Sequence, residues 1–104
     1  MPYPYWKKIL IKLSGLILSD NPNALHLLEQ NQDKIDWDLL SRNPKAINLL
    51  EQNLDRVNWD YLSGNPNATH IIEQNLDKID WNRLSFNPNA IYLLNLWTSK
   101  MLNF

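Results

Sequence analysis

The stretch 43-NPKAINLLEQNLDRVNWDYLSG-64 decides the fold, because close copies of it stand directly before and after it in the chain. Asn-Pro pairs recur every 22 residues, beginning at Asn21, Asn43, Asn65 and Asn87. The full units, here called A, B and C, occupy 21–42, 43–64 and 65–86, and a partial unit D begins at 87. A period of this length is typical of an array of small stacked units.

Each unit predicts an α-helix that starts at the Asn-Pro pair. In unit A, Asn21 suits the N-cap and Pro22 suits the first helical position, where its missing N–H leaves no bond unmade. Ala24, Leu27 and Leu28 then follow at helical spacing on one face. Every unit therefore presents one apolar helix face for burial.

The second half of each unit predicts a shorter helical segment. Asn31 is expected to end the first helix in the left-handed conformation. Asp36 caps the next segment, which runs from 37 to 41 and is expected to bury Trp37 and Leu40. The equivalent of Asp36 is Asn58 in unit B, and a cap tolerates this exchange because both side chains keep an acceptor oxygen. Five residues are compatible with either an α-helix or a 3₁₀-helix.

One unit cannot bury its apolar face alone, so the predicted fold is an all-α, short tandem-repeat helical solenoid. The 104 residues are expected to form a single domain, with an N-terminal cap over 1–20 and a C-terminal cap within 87–104. Residues at helical spacing predict that the N-terminal cap is an amphipathic helix: Trp6, Ile9, Leu10 and Leu13. The apolar run 9–18 is shorter than the roughly 20 residues of a membrane span, and we expect no membrane association.

The unit, written NPNAIxLLEQNxDKIDWxxLS, resembles the short Asn-Pro and Trp-Leu-Ser tandem repeats of giant DNA virus proteins over about residues 18–94. It is also distantly similar to the leucine-rich variant repeat, in which α- and 3₁₀-helices alternate. The first resemblance implies a viral protein that acts inside the host cell, in the cytoplasm. The second implies a superhelix of alternating helix types, although the period here is shorter and carries a tryptophan.

The composition predicts a protein that is not an enzyme and needs no cofactor. The chain has no cysteine, and no serine, histidine and carboxylate set or glycine-rich phosphate loop is visible. His26 and His70 lie two units apart and cannot share a metal ion. Asp33, Asp36 and Asp38 lack the glycine and glutamate of a calcium loop.

A net charge of −1 does not favour nucleic-acid binding. A column of tryptophans could stack single-stranded bases, but in a short amphipathic segment core packing is the favoured interpretation: Trp37, Trp59 and Trp81. We therefore expect no nucleic-acid partner.

The predicted function is a protein-binding scaffold whose surface lies in the columns where the units differ. Those columns do not determine the fold, because the fold recurs while they change. The candidate binding residues are Leu39, Tyr61, Arg83, Arg42, Phe86, His26, His70 and Tyr92. Tyrosine, arginine and phenylalanine are typical of interface cores.

The alternative is a self-associating structural protein, a homodimer or larger assembly that pairs through its ends. Its candidate contacts are the apolar residues of the C-terminus: Trp97, Met101, Leu102 and Phe104. Such groups either fold back as a cap or bury themselves against a second chain.

Overall fold

A computed structural model describes Gly15 and residues 18–102, with backbone alone for 97 and 100–102. The described residues are helical and include no strand. The predicted all-α class is therefore confirmed. The predicted N-terminal helix with Trp6, Ile9, Leu10 and Leu13 lies outside the described residues.

Each full unit contains two short α-helices. The first helices are α1 (Leu25–Glu29), α3 (Ile47–Glu51) and α5 (Thr69–Glu73), and the second helices are α2 (Trp37–Ser41), α4 (Trp59–Ser63) and α6 (Trp81–Leu84). The 3₁₀-helices η1 (Gln32–Lys34) and η2 (Leu54–Arg56) connect them in units A and B. Unit D forms a longer helix, α7 (Tyr92–Leu102). The segment that begins at each tryptophan is thus α-helical, and the 3₁₀ geometry belongs to the link before it.

The Asn-Pro pair forms a turn, so the predicted N-cap role of Asn21 is wrong. The carbonyl of Asn21 accepts from the N–H of Ala24 at 3.1 Å, and its Oδ1 accepts from the N–H of Asn23 at 2.9 Å. Helix α1 begins after this turn, with Ala24 at the N-cap position and no side-chain cap. Asparagine oxygen can serve a turn or a helix cap, and the turn uses it here.

The end of the first helix also differs from the prediction. Asn31 is not left-handed but has φ of −140°, and no described non-glycine residue has positive φ. Its Nδ2 instead donates to the carbonyl of Leu27 at 2.9 Å, as Asn53 does to Leu49. A side-chain amide thus satisfies a carbonyl that the helix end would otherwise leave free.

The predicted cap of the second helix is confirmed. Asp36 accepts from the N–H of Leu39 at 2.9 Å, and Asn58 accepts from the N–H of Tyr61 at 3.1 Å. Because both oxygens make the same bond, the column holds Asp or Asn without change of structure.

The core follows the apolar columns of the repeat. The fully buried large apolar side chains are Leu28, Leu40, Leu50, Leu62, Ile72, Leu84 and Leu93. The prediction of a buried Trp37 is only partly correct, because Trp37 and Trp59 are half-buried at the edge of this core. Their outer faces are covered by cations from the following unit, Arg56 at 5.5 Å and Lys78 at 5.4 Å from the ring centres.

Gly15 occupies the column of the tryptophans for a steric reason. A Cβ built on Gly15 would overlap the backbone carbonyl of Lys34. Because this contact is with backbone, a side chain cannot be accommodated by a simple rotation. Glycine is therefore required at position 15, where the backbone of Lys34 in unit A passes close to it.

Buried asparagine amides connect successive units. Asn65 donates from Nδ2 to the carbonyls of Ser41 at 2.9 Å and Asn43 at 3.0 Å. Asn87 repeats both bonds one unit later, to Ser63 and Asn65. The exposed fraction of Asn43, Asn65 and Asn87 is at most 1%, and every buried side-chain nitrogen or oxygen of the described residues has a partner.

Buried serine hydroxyls form a second connection between units. Ser63 donates to the carbonyl of Trp59 at 2.6 Å and accepts from the N–H of Asp80 at 2.9 Å. Ser41 makes the equivalent bonds to Trp37 and Asn58. Each hydroxyl therefore closes one short helix and holds the start of the next.

Replacement of Ser63 by alanine tests this connection. We expect Ser63→Ala to lower the free energy of unfolding by about 1–2 kcal/mol, because a buried N–H and a carbonyl lose their partner. Ser85→Ala is the matched control, since Ser85 is exposed and its hydroxyl bonds, among the described residues, only to the carbonyl of Asn82; its effect should stay within about 0.5 kcal/mol. Urea unfolding followed by tryptophan fluorescence measures both, and equal losses would contradict the inter-unit role of Ser63.

Candidate interaction surface

The structure brings together three of the predicted binding residues, one from each full unit. The guanidinium of Arg83 lies 5.0 Å from the centre of the Tyr61 ring, and that of Arg42 lies 5.8 Å from it. The half-buried tyrosine is therefore flanked by two cations. Cation–π contact orients the two guanidinium groups at the surface.

Arg42 is also held by an ion pair with Asp20. Its Nε and Nη2 donate to the two carboxylate oxygens, each at 2.8 Å. The hydrogen bond from Arg42 has the largest effect on the pKa of Asp20 and lowers it; partial burial opposes this shift, and the charge of Arg42 adds a smaller lowering. The same hydrogen bond raises the pKa of Arg42. The sequence analysis did not predict a role for Asp20. Asp20 and Arg42 are 22 residues apart, so these opposite charges occupy equivalent positions of the repeat.

Arg83 differs from Arg42 in having no ion-pair partner among the described residues. Its side chain is exposed and rests on Tyr61. A guanidinium that is already oriented, and whose N–H groups are not bonded to a carboxylate of the described residues, can donate two parallel hydrogen bonds to the carboxylate of a partner.

Phe86 adds a large exposed apolar group three residues after this cation in the chain. It is 85% exposed, in the column that holds Arg42 in unit A and Gly64 in unit B. Phe86 lies in the turn that follows α6, and its N–H donates to the carbonyl of Arg83. Leu39 occupies the column of Tyr61 and Arg83 but is half-buried. The exposed side chains of this surface are therefore Arg42, which is paired with Asp20, and Arg83 and Phe86.

The remaining predicted residues form a different row, on the first helices. His70 pairs with Glu51, and the Tyr92 hydroxyl donates to Glu73 at 3.4 Å. Partial burial, the charge of Glu73 and the hydrogen bond to it raise the pKa of Tyr92. His26 is exposed. The pairs His70–Glu51 and Tyr92–Glu73 each join neighbouring units. His70 and Tyr92 therefore contribute to contacts between units although they are exposed.

The side chains of the predicted oligomer contacts are not among those that the structure describes. Trp97, Met101 and Leu102 lie in α7, where only their backbone is described, and Phe104 lies outside the described residues. Their neighbour Leu96 is 39% exposed.

The serines of the repeat are used within the fold. Ser41 and Ser63 are buried and bonded to backbone, so their hydroxyls are not presented to a substrate. The described residues include no group of three His, Cys, Asp or Glu side chains placed to hold a metal ion. None of the helices within the described range is long and apolar enough to cross a membrane.

The ion pair between Asp20 and Arg42 predicts a measurable titration. In the wild type, the pKa of Asp20 should lie below that of an ordinary aspartate, and Arg42→Gln should raise it toward the ordinary value. Because the folded-state pKa is lowered, the stabilisation from this pair is present above the ordinary carboxyl pKa and is lost as pH falls through the pKa of Asp20. Carboxyl-carbon NMR titration measures the shift. Arg56→Gln, a change at the arginine over Trp37, is the matched control, and an Asp20 pKa that is the same in all three proteins would contradict the pairing.

In comparisons with known proteins, no family model, curated protein or solved structure matches the chain significantly.

Proposed function

We propose that this chain is a non-enzymatic protein-binding scaffold, in which the Asn-Pro units stack as a short helical solenoid. The asparagine and serine bonds that recur between units support the stacked arrangement. The dimensions of 63 × 21 × 16 Å support it as well, because a radius of gyration of 16.2 Å exceeds the roughly 13 Å of a compact domain of this length. Solenoids of this kind present extended surfaces to partners.

The observation that carries the proposal is the pre-oriented guanidinium of Arg83, which has no ion-pair partner among the described residues, together with the exposed Phe86 three residues later. Arginine and aromatic side chains dominate binding energy at interfaces. The surface fits an acidic protein segment that also carries an apolar residue: its carboxylate pairs with Arg83 and its apolar group covers Phe86. The resemblance of the repeat to viral sequences supports a host protein as the source of that segment.

Nucleic acid is a less suitable partner. Cations cover Trp37 and Trp59 within the chain, so these rings do not offer free faces for base stacking. The net charge of −1 also gives no long-range attraction for a polyanion.

Selection of phage-displayed random peptides on the purified protein tests this function. Enriched peptides should carry Asp or Glu together with an aromatic or large aliphatic residue. Their affinity should fall about tenfold or more in the double variant Arg83→Gln and Phe86→Ala, since each residue is expected to contribute more than about 1 kcal/mol.

Lys45→Gln is the matched control, because it removes one exposed positive charge from another part of the surface. It should leave peptide affinity unchanged. Enriched peptides without acidic residues, or an equal loss of affinity in the control, would show that the Arg83 and Phe86 surface is not the binding site.

A further inference from the structure

Gly64 differs from Gly15 in that the backbone around it does not require glycine. A Cβ built on Gly64 meets nothing closer than the carbonyl of Tyr61 at 3.7 Å, which is an ordinary van der Waals distance. Its φ of −90° and ψ of 0° are close to the −94° and 0° of Arg42, its equivalent in unit A. A side chain at position 64 is therefore compatible with the fold.

The equivalent positions of the neighbouring units carry large side chains on the same local backbone. The N–H of Gly64 ends helix α4 with a bond to the carbonyl of Tyr61 at 3.1 Å. Arg42 and Phe86 each donate in the same way to the carbonyl three residues before them, at 3.2 and 3.1 Å. Glycine lowers stability here, because it leaves the unfolded chain more freedom than alanine would. The missing side chain thus has no benefit within the fold.

The missing side chain leaves a gap in the row of helix ends. Helix α4 packs against both α2 and α6, so its end lies between theirs. Side chains at equivalent positions of neighbouring units can reach each other, as Arg42 reaches Asp20. Gly64 therefore separates Arg42 from Phe86 by a position without a side chain. We call this gap the Gly64 notch.

The side chains on the two sides do not close the Gly64 notch. Gly64 itself is exposed. Arg42 is bonded to both carboxylate oxygens of Asp20 and lies against the ring of Tyr61, so its guanidinium is not free to swing across. Phe86 is 85% exposed, which shows that its ring does not pack into the gap.

The surroundings of the notch are apolar on one side and neutralised on the other. Phe86 supplies the apolar side, and the charge of Arg42 is balanced by Asp20. The cation without an ion-pair partner among the described residues is Arg83, one helical turn before Phe86. A carboxylate is therefore attracted to Arg83, and an uncharged apolar group suits the notch.

We propose that Gly64 is a specificity-determining residue, whose notch seats the apolar side chain of the acidic protein segment. This inference rests on the function proposed above. The apolar side chain packs over Gly64 and against Phe86 while the carboxylate of the same segment pairs with Arg83. Glycine allows this close approach because it has no Cβ in the way.

The substitution Gly64→Gln tests the notch by filling it without a change of charge. The probe is the tightest-binding peptide from the phage selection on the wild type, and isothermal titration calorimetry measures its affinity. The affinity should fall about tenfold or more, and Gly64→Ala should cause a smaller loss. The urea midpoint of both variants should stay unchanged or rise, because the position accepts side chains in the other units.

Leu54→Gln is the matched control. It introduces the same side chain at an exposed position of the same unit, in the link η2, where unit A already carries Gln32. It should leave peptide affinity unchanged. An equal loss of affinity in Leu54→Gln and Gly64→Gln would overturn the role of the notch.

Two changes in the peptide identify the group that the notch holds. When the apolar residue of the peptide is replaced by alanine, Gly64→Gln should cause no further loss of affinity, because the group it excludes is already missing. When the acidic residue is replaced by its amide, Gly64→Gln should still weaken binding. The reverse pattern would overturn the assignment of the apolar group to the notch.

The failure of the notch can be distinguished from the failure of the proposed function. If affinity falls in the double variant Arg83→Gln and Phe86→Ala but not in Gly64→Gln, the notch is wrong and the function stands. If the double variant binds as the wild type does, or no peptide is enriched, both are wrong. A lowered urea midpoint in Gly64→Ala would show that glycine is needed for folding and would also overturn the inference. If Gly64→Gln does not fold, the affinity of Gly64→Ala decides.

Discussion

The structure depends on the burial of an asparagine side chain at each joint between units. An amide without hydrogen bonds is costly to bury, and Asn65 is buried because both ends of its amide are used. Its Nδ2 reaches two carbonyls of the preceding segment and its Oδ1 holds the turn of its own unit. One residue therefore shapes the local backbone and sets the position of the next unit, which explains why it must recur at a constant interval.

The other constant columns support the same joint. Ser63 ties the end of one short helix to the cap residue of the next, and the core leucines fill the space between. With the backbone held by these bonds, residues that take no part in them are free to differ between units. Tyr61, Arg83 and Phe86 are such residues, and the surface proposed for partners is built from them.

The period, the helix class and the cap at Asp36 could be predicted from sequence because each depends on neighbouring residues. The role of Asn21 could not, because an Asn-Pro pair satisfies the rules for a helix cap and for a turn equally well. The buried amide contacts connect residues 22 and 24 apart in sequence, and local propensity carries no information on them. Arg42 and Asp20 carry opposite charges at equivalent positions of the repeat. Their pairing can be predicted only if those equivalent positions are taken to lie side by side.

The unfolding free energy of Asn65→Ala, compared with that of Asn21→Ala, tests the central role of the amide most directly. Both variants lose the turn bond to the residue two positions on, but only Asn65 is buried and bonded to a preceding unit. We expect Asn65→Ala to lose about 2 kcal/mol or more, since the buried Ser41 carbonyl loses the donor described for it and the Asn43 carbonyl keeps only the N–H of Ala46, and Asn21→Ala to lose about 0.5 kcal/mol. Equal losses in the two variants would show that the amides do not hold the units together.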